Sequence, residues 1–360
     1  MFPMPWLEDM PDAPATVTYS VPMPDDHPLI GVDKTGVMLI NLGTPDATTY
    51  WPMRRYLNQF LSDKRVIDYP SWFWQPLLQG LILSSRPKKS GAAYASIWNR
   101  EKDESPLRTF TRDQAEALTE RLADCADVVV DWGMRYGQPS VQDVLQKMFD
   151  AGCRRVLLVA LYPQYSATTT ATAYDEAYRK LLEMRWQPQI RTVGPWHDDP
   201  LYIDALAASI EDHLAGLDWE PEVVITSFHG LPERYLKAGD PYHCHCAKTN
   251  RLLRERLGWP KDKLKVCFQS RFGPEPWLQP YLDETVEHLA KEGVKRLAVI
   301  SPAFVSDCVE TLEEIDQEVR DEFLENGGEQ FTYIPCLNAT DAGLRVIEAI
   351  VRRELAGWIG

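Results

Sequence analysis

The sequence predicts an α/β protein with parallel sheets, built as two similar halves. Three observations carry this. From about Gly36 onward, apolar runs of strand length alternate with amphipathic stretches of helix length, the pattern of βαβ units. Three short marks recur in the same order in both halves. At 360 residues the chain has room for about two domains of roughly 150 residues each.

The elements follow in order. The first 34 residues are Pro-rich, acidic and aperiodic, which predicts an arm with no core of its own. Strands are expected at Val37 to Asn41, Val128 to Trp132, Val156 to Leu161, Val223 to Ser227, Lys265 to Gln269, Leu297 to Ser301 and Phe331 to Ile334. Helices are expected at Trp51 to Leu61, Thr111 to Ala123, Val141 to Asp150, Ala171 to Arg185, Leu201 to Ala215, Thr249 to Leu257, Leu278 to Glu292, Val309 to Leu324 and Ala342 to Leu355. The expected domains are 35–217 and 218–340, with a C-terminal helix over 341–360.

The first recurring mark is a strand running into Gly-x-Pro, at Gly43-Thr44-Pro45 and Gly230-Leu231-Pro232. The second is Arg-aromatic-Gly at a strand end, at Arg135-Tyr136-Gly137 and Arg271-Phe272-Gly273. The third is Gly and a basic pair leading into a strand, from Gly152 and from Gly293. Gly43 to Arg135 is 92 positions and Gly230 to Arg271 is 41, so the first half carries about 51 extra residues. That insertion, about 60–110, holds Trp72, Phe73, Trp74, a Leu/Ile run and the basic Arg86, Lys88 and Lys89. It reads as a lip for a large flat ligand or a membrane surface; a core helix hairpin is the plainer alternative.

Composition excludes several functions. Lys and Arg total 38 against 53 Asp and Glu, a net charge of -15, which argues against a nucleic-acid partner. No apolar run approaches the roughly 20 residues of a membrane-spanning helix. The N-terminus has neither the basic nor the apolar region of a signal peptide. Seven cysteines, an odd number spread along the chain, fit reduced thiols and a cytoplasmic location. No Gly-x-Gly-x-x-Gly follows a strand and no P-loop is present, so simple NAD or ATP chemistry lacks its phosphate cradle.

Ligands of open parallel sheets bind beyond the carboxyl ends of the strands. That rule selects Asn41 and Leu42, Arg135 and Tyr136, Tyr162 to Thr170, Phe228 and His229, Ser270 and Arg271, and Ser301 to Glu310. Gly230 and Pro232 turn the chain sharply after His229, which leaves its imidazole facing the cleft as a proton acceptor or metal ligand. A strand-end histidine without further context is more often structural. The context is PAFVSDCVETLEEIDQE, in which Ser306 or Asp307 caps a helix whose Glu310, Glu314 and Glu318 line one face. Such a row is ordinarily a solvated exterior, but Glu310, one turn from the helix N-terminus and near the strand end, need not be solvated. Opposite His229 it makes an N/O pair suited to a borderline divalent metal such as Fe2+. Asp307 and Glu314 extend the row as a path for protons or metal ions. The segment His243 to Cys246 is expected to be a loop with noncatalytic thiols, since four consecutive residues cannot all reach one tetrahedral ion.

With these residues in view, the sequence resembles ferrochelatases, which insert Fe2+ into a porphyrin. The resemblance runs from about Val37 to Leu355 and rests on INLGTPD, LNQFLSDKRVID, GMRYGQP, LYPQYSATTTA, SFHGLPERY, GDPY, QSRFGPEPWLQPYLDET and SPAFVSDCVETLEEI. It implies two Rossmann-like halves with a cleft between them, and protoporphyrin IX and Fe2+ as substrates. It makes His229 the catalytic histidine and Glu310 its carboxylate partner, both in metal binding. It places Asn41, Leu42, Arg135, Tyr136 and Trp277 in the porphyrin cleft, and Arg86 at a porphyrin propionate. The family's animal members carry an iron-sulfur cluster with one Cys beside the YPQYS motif, where this chain has Ala167, and three in a C-terminal extension. No cofactor is therefore expected and a [2Fe-2S] cluster is not, with Cys244 and Cys246 leaving an unorthodox cluster as the alternative. Cys308 stands where some relatives have His. A monomer, in peripheral contact with a membrane, is the expected state, with a dimer as the alternative; coproporphyrin as substrate, another tetrapyrrole chelatase, and a porphyrin or haem carrier without catalysis are the rival readings.

Overall fold

The structure, a computed structural model, describes residues 33–359. The Pro-rich arm expected over 1–34 lies outside these residues except for Asp33 and Lys34. In the first half the order is β1 (Lys34–Gly43), α1 (Tyr50–Leu61), α2 (Ser71–Leu77), α3 (Leu83–Ile97), α4 (Pro106–Arg121), β2 (Val128–Tyr136), α5 (Val141–Asp150), β3 (Cys153–Ala160), α6 (Thr172–Glu183) and β4 (Gln189–Thr192). Helix α7 (Pro200–Ala215) leads to the second half: β5 (Val223–His229), α8 (Glu233–Lys237), α9 (Tyr242–Leu257), β6 (Leu264–Gln269), α10 (Leu282–Lys291), β7 (Arg296–Ile300), α11 (Val309–Leu312), α12 (Arg320–Glu325), β8 (Gln330–Ile334) and α13 (Asp341–Leu355). Short π-helical turns join α2 to α3, lead into α6 and join α11 to α12.

Each half forms one four-stranded sheet, with strand orders β2-β1-β3-β4 and β6-β5-β7-β8. All pairings between these strands are parallel, and the shared order is the repeat that the three sequence marks announced. Gly43 shows why one mark is glycine: it has φ +110°, and a Cβ there would meet the Tyr136 carbonyl at 1.7 Å.

Alternation along the strands distributes the core. Met38 and Ile40 of β1 pack with Val144, Leu145 and Ala177 of α5 and α6, while Ile225, Leu297 and Val299 pack with Val286, Leu289 and Phe323 of α10 and α12. The opposite faces of both sheets, through Val37, Leu39, Val224 and Ala298, share one core with α4, α7, α9 and α13. Helix α13 is therefore part of the packing that joins the halves, and Arg121 of α4 pairs with its Asp341 and Glu348.

Four differences from the sequence reading have local causes. Strand β4 is four residues long and largely polar, so it shows no apolar run. Helix α4 begins earlier than expected because Ser105 caps it, accepting from Arg108 N, with Pro106 at its first position. His243 to Cys246 open helix α9 and are not a loop. The expected helix from Val309 to Leu324 is divided by the π turn Glu314–Val319.

The insertion forms α2, a π turn and α3, packed on α1 through Met53, Leu57, Trp74, Leu78 and Leu83. Trp72, Phe73 and Leu81 stand out at 80%, 51% and 63% exposure. Trp74 points inward and donates its Nε1–H to the Leu61 carbonyl at 2.6 Å. No helix among the described residues is long and apolar enough to cross a membrane.

Candidate active site

His229 ends β5 and is half-buried. Its Nδ1 lies 2.7 Å from the Gly230 carbonyl oxygen. A carbonyl can only accept, so the proton sits on Nδ1 and the Nε2 lone pair is left for a proton or a metal. Gly230 is fixed by close approach: a Cβ there would lie 2.8 Å from the Gln269 carbonyl and 3.1 Å from the Trp277 ring. Trp277 is thereby held beside His229, nearly buried, and its indole Nε1 has no hydrogen-bond partner.

Beyond β7 the chain turns into α11, whose first turn carries Glu310. The residue that caps this helix is Cys308, not Ser306 or Asp307: Cys308 Sγ accepts from the Thr311 amide, and Thr311 Oγ1 accepts from the Cys308 amide at 3.0 Å. Asp307 is buried and has a different occupation. Its Oδ1 accepts from Thr311 Oγ1, Tyr333 OH and the Cys336 amide, and its Oδ2 from Asn338 Nδ2 at 2.6 Å. Both oxygens anchor the loop to β8 and the segment after it.

Gln269 and Ser270, at the end of β6, join the two sides. Gln269 donates from Nε2 to the Glu310 carbonyl at 2.8 Å and to Glu314 Oε2 at 3.2 Å, and Ser270 Oγ also donates to Glu314 Oε2. Burial raises the Glu314 carboxyl above its ordinary range, against the opposing pull of Ser270, His229 and Gln269. Burial, with Glu318 and Glu314 nearby, pushes Glu313 up to about 7. The row ends in solvent at Glu318. Among the described residues no three His, Cys, Asp or Glu side chains are gathered to hold a metal ion by themselves.

The first half supplies the facing wall. Leu42 packs on the cluster of Met53, Tyr56, Leu57, Tyr94 and Tyr136, as does Val309 from beside Glu310. Asn41 is buried, donating to Thr111 Oγ1 at 3.1 Å and accepting from the Leu42 amide at 2.9 Å. Arg86 is exposed, lies 5.1 Å over the Phe272 ring and has no ion-pair partner among the described residues.

Arg135 and Tyr136 are placed differently from the cleft contacts expected of them. Arg135 is 5% exposed and pairs with Asp63 at 2.5 Å and Glu176 at 3.2 Å. It also donates to Thr172 Oγ1 at 2.7 Å. Tyr136 is fully buried with its hydroxyl on Asp63 Oδ2 at 2.8 Å. Asp63 also accepts from Thr172 and from the Arg65 amide. These donors hold its carboxyl below the ordinary range although burial opposes them. The network ties the base of the lip to β2 and α6. Asp63 and Gln269 are the residues that sequence reasoning missed.

Two parallel four-stranded halves with the candidate residues beyond strand ends define a chelatase-type fold. The solved structure of SirB from Bacillus subtilis with Fe3+ superposes with a TM-score of 0.53 at 14% identity, covering 90% of this chain and 97% of that one. A multi-domain protein of Deinococcus radiodurans, described as structurally similar to chelatases, gives 0.50 at 15% identity over 89% of this chain and 55% of that one. The ferrochelatase family model matches residues 34–355. Ferrochelatases of Allorhizobium ampelinum and Agrobacterium fabrum are 62% and 59% identical over 337 residues, 94% of this chain and 98% of each relative. The chain belongs to the ferrochelatase family.

Proposed function

We propose that the protein is a lyase that inserts Fe2+ into protoporphyrin IX to give protohaem, with release of the two pyrrole protons. The observation that carries the mechanism is the 2.7 Å contact of His229 Nδ1 with the Gly230 carbonyl, which assigns the Nδ1–H tautomer and leaves Nε2 as an acceptor; Gln269, paired with His229 in the sheet, bonds the Glu310 and Glu314 turn. His229 and Glu310 are a two-residue N/O site. An incomplete ligand set suits a metal that is a substrate, because the remaining positions stay open to water and then to pyrrole nitrogens. The single Nε2 lone pair serves one role at a time: it holds Fe2+ first and, once the metal has passed to the pyrrole nitrogens, takes one pyrrole proton, while Glu314 and Glu313, whose carboxyls burial raises, relay protons toward Glu318.

Leu42 and Trp277 serve as apolar walls for the macrocycle, and Arg86 as the cation for a propionate. Arg135, Tyr136 and Asn41 hold the floor from inside, and Asp307 fixes the loop before Glu310. Trp72, Phe73 and Leu81 suit a peripheral contact with a lipid surface at the cytoplasmic face of a membrane. A monomer without a resident cofactor or iron-sulfur cluster satisfies this scheme.

The test follows loss of free protoporphyrin fluorescence on adding Fe2+ anaerobically, or Zn2+, with wild type and His229→Ala. His229→Ala is expected to abolish insertion while retaining porphyrin binding. Unchanged turnover would overturn the role of His229, preference for coproporphyrin would overturn the substrate, and porphyrin binding without turnover in wild type would identify a carrier.

A further inference from the structure

His229 and Glu310 come from separate segments, β5 and the first turn of α11, so something must fix their separation. The sheet supplies part of the answer. His229 and Gln269 are direct partners in the parallel pairing of β5 with β6, and Ser227, two residues before His229, shares its face of the sheet. The Gln269 backbone carbonyl accepts from the Gly230 amide at 2.7 Å, which sets the turn that follows His229.

The Gln269 side chain, which is buried, reaches the other partner. Its Oε1 accepts from Ser227 Oγ at 2.6 Å. That bond orients the amide, because with Oε1 turned to Ser227 the two N–H donors point away, toward α11. One reaches the Glu310 carbonyl and the other Glu314 Oε2. A single side chain is thus bonded to the strand of the histidine, to the backbone of Glu310 and to the next carboxylate of the row. An aliphatic side chain would leave a buried carbonyl and carboxylate without these donors, whereas a glutamate would place a second acceptor against them.

We propose that Gln269 is the positioning residue that sets the spacing of His229 and Glu310 for metal insertion, with Ser227 orienting its amide. The inference rests on the reading of His229 and Glu310 as the metal-handling pair. Gln269 touches neither the metal nor the porphyrin in this scheme. Its loss therefore acts on the metal half of the reaction and leaves the apolar walls for porphyrin intact.

The experiment uses the full chain with Gln269→Met, Ser227→Ala and His229→Ala beside wild type. It measures kcat and the KM for Zn2+ or Fe2+, porphyrin affinity by fluorescence titration, and Tm. Gln269→Met is expected to lower kcat/KM for the metal at least tenfold with porphyrin affinity within twofold. Ser227→Ala, which keeps Gln269 but frees its amide, is expected to lose about three- to fivefold in the same direction, consistent with one hydrogen bond. If Gln269→Met does not fold, Ser227→Ala decides alone. Metal kinetics within twofold of wild type in the folded variants, or losses of metal and porphyrin binding in equal proportion, overturn the inference. If His229→Ala itself retains turnover, the reading of the pair fails instead, and the two failures are told apart.

Discussion

Replacing Asp63 by Asn tests whether the buried network under the cleft acts as a structural clamp. Asp63 and Arg135 are only 3% and 5% exposed and 2.5 Å apart, so neutralising the aspartate leaves a guanidinium without its principal partner. Breaking a buried pair from one side typically costs about 3–5 kcal/mol. Two features argue for the lower end: Glu176 remains 3.2 Å from Arg135, and the Asn oxygen still accepts from Tyr136 and Thr172. Taking about 3 kcal/mol and about 2 °C per kcal/mol for a chain of this size, Tm should fall by about 6 °C. The pH dependence adds a second check. The Asp63 carboxyl is held below its ordinary value, so its contribution is present above the unfolded value near 3.8 and lost as pH falls through the folded one. The gap between wild type and variant should therefore be full at pH 7 and close at strongly acidic pH. Thermal scans at fixed rate over that range, together with Arg135→Met and the double variant, measure the coupling. A shift under 1 °C at pH 7, or additive single effects, would refute the clamp.

Two further outcomes follow from the same geometry. Glu313 is raised to about 7, so its contribution to stability is present below about 4.5 and lost as pH rises through 7; with discounting for partial exposure, Glu313→Gln should be more stable by about 1–2 kcal/mol above pH 7 and indistinguishable near pH 4.5, as urea unfolding across that range will show. Trp72→Ser with Phe73→Ser removes two exposed aromatics worth roughly 1.5–3 kcal/mol each if buried in lipid, so partition onto anionic vesicles should drop at least tenfold with soluble-assay turnover unchanged; equal sedimentation of variant and wild type would rule out the lip as the contact.

Much of the fold was legible because parallel strands buried on both faces read as apolar runs, and because the repeat places the same punctuation at equivalent strand ends. Of the candidate site, the positions were legible: His229 ends a strand and Glu310 lies in the first turn of a helix, both beyond strand ends, where ligands of such sheets bind. What failed was the direction in which a side chain points. The strand-end rule selects Arg135 and the resemblance places it in the cleft, but its partner Asp63 is 72 positions earlier, and no local pattern announces that pairing. Gln269 is 41 positions from the carbonyl it holds and has no charge or unusual spacing to mark it. Trp72 and Trp74 are two positions apart on one helix, so its rotation sends one to solvent and the other to the Leu61 carbonyl.

The carboxylate row shows how a local irregularity can turn a surface feature into a candidate route. In an uninterrupted α-helix, residues i, i+4 and i+8 share one face and hence one environment, so Glu310, Glu314 and Glu318 would all be wet or all be dry. The π turn Glu314–Val319 changes the winding after Glu313. Glu314 faces Ser270 and Gln269, Glu313 is half-buried near Lys89 of the lip, and Glu318 is exposed. The same sequence spacing thus becomes a line from interior to surface. Burial raises the carboxyls of Glu314 and Glu313, so in the proposed scheme each passes its own proton outward as it takes one from the side of His229. A regular helix would offer Glu310 only neighbours on its own surface stripe. The π turn supplies the inside-to-outside gradient that the proposed route for released protons uses.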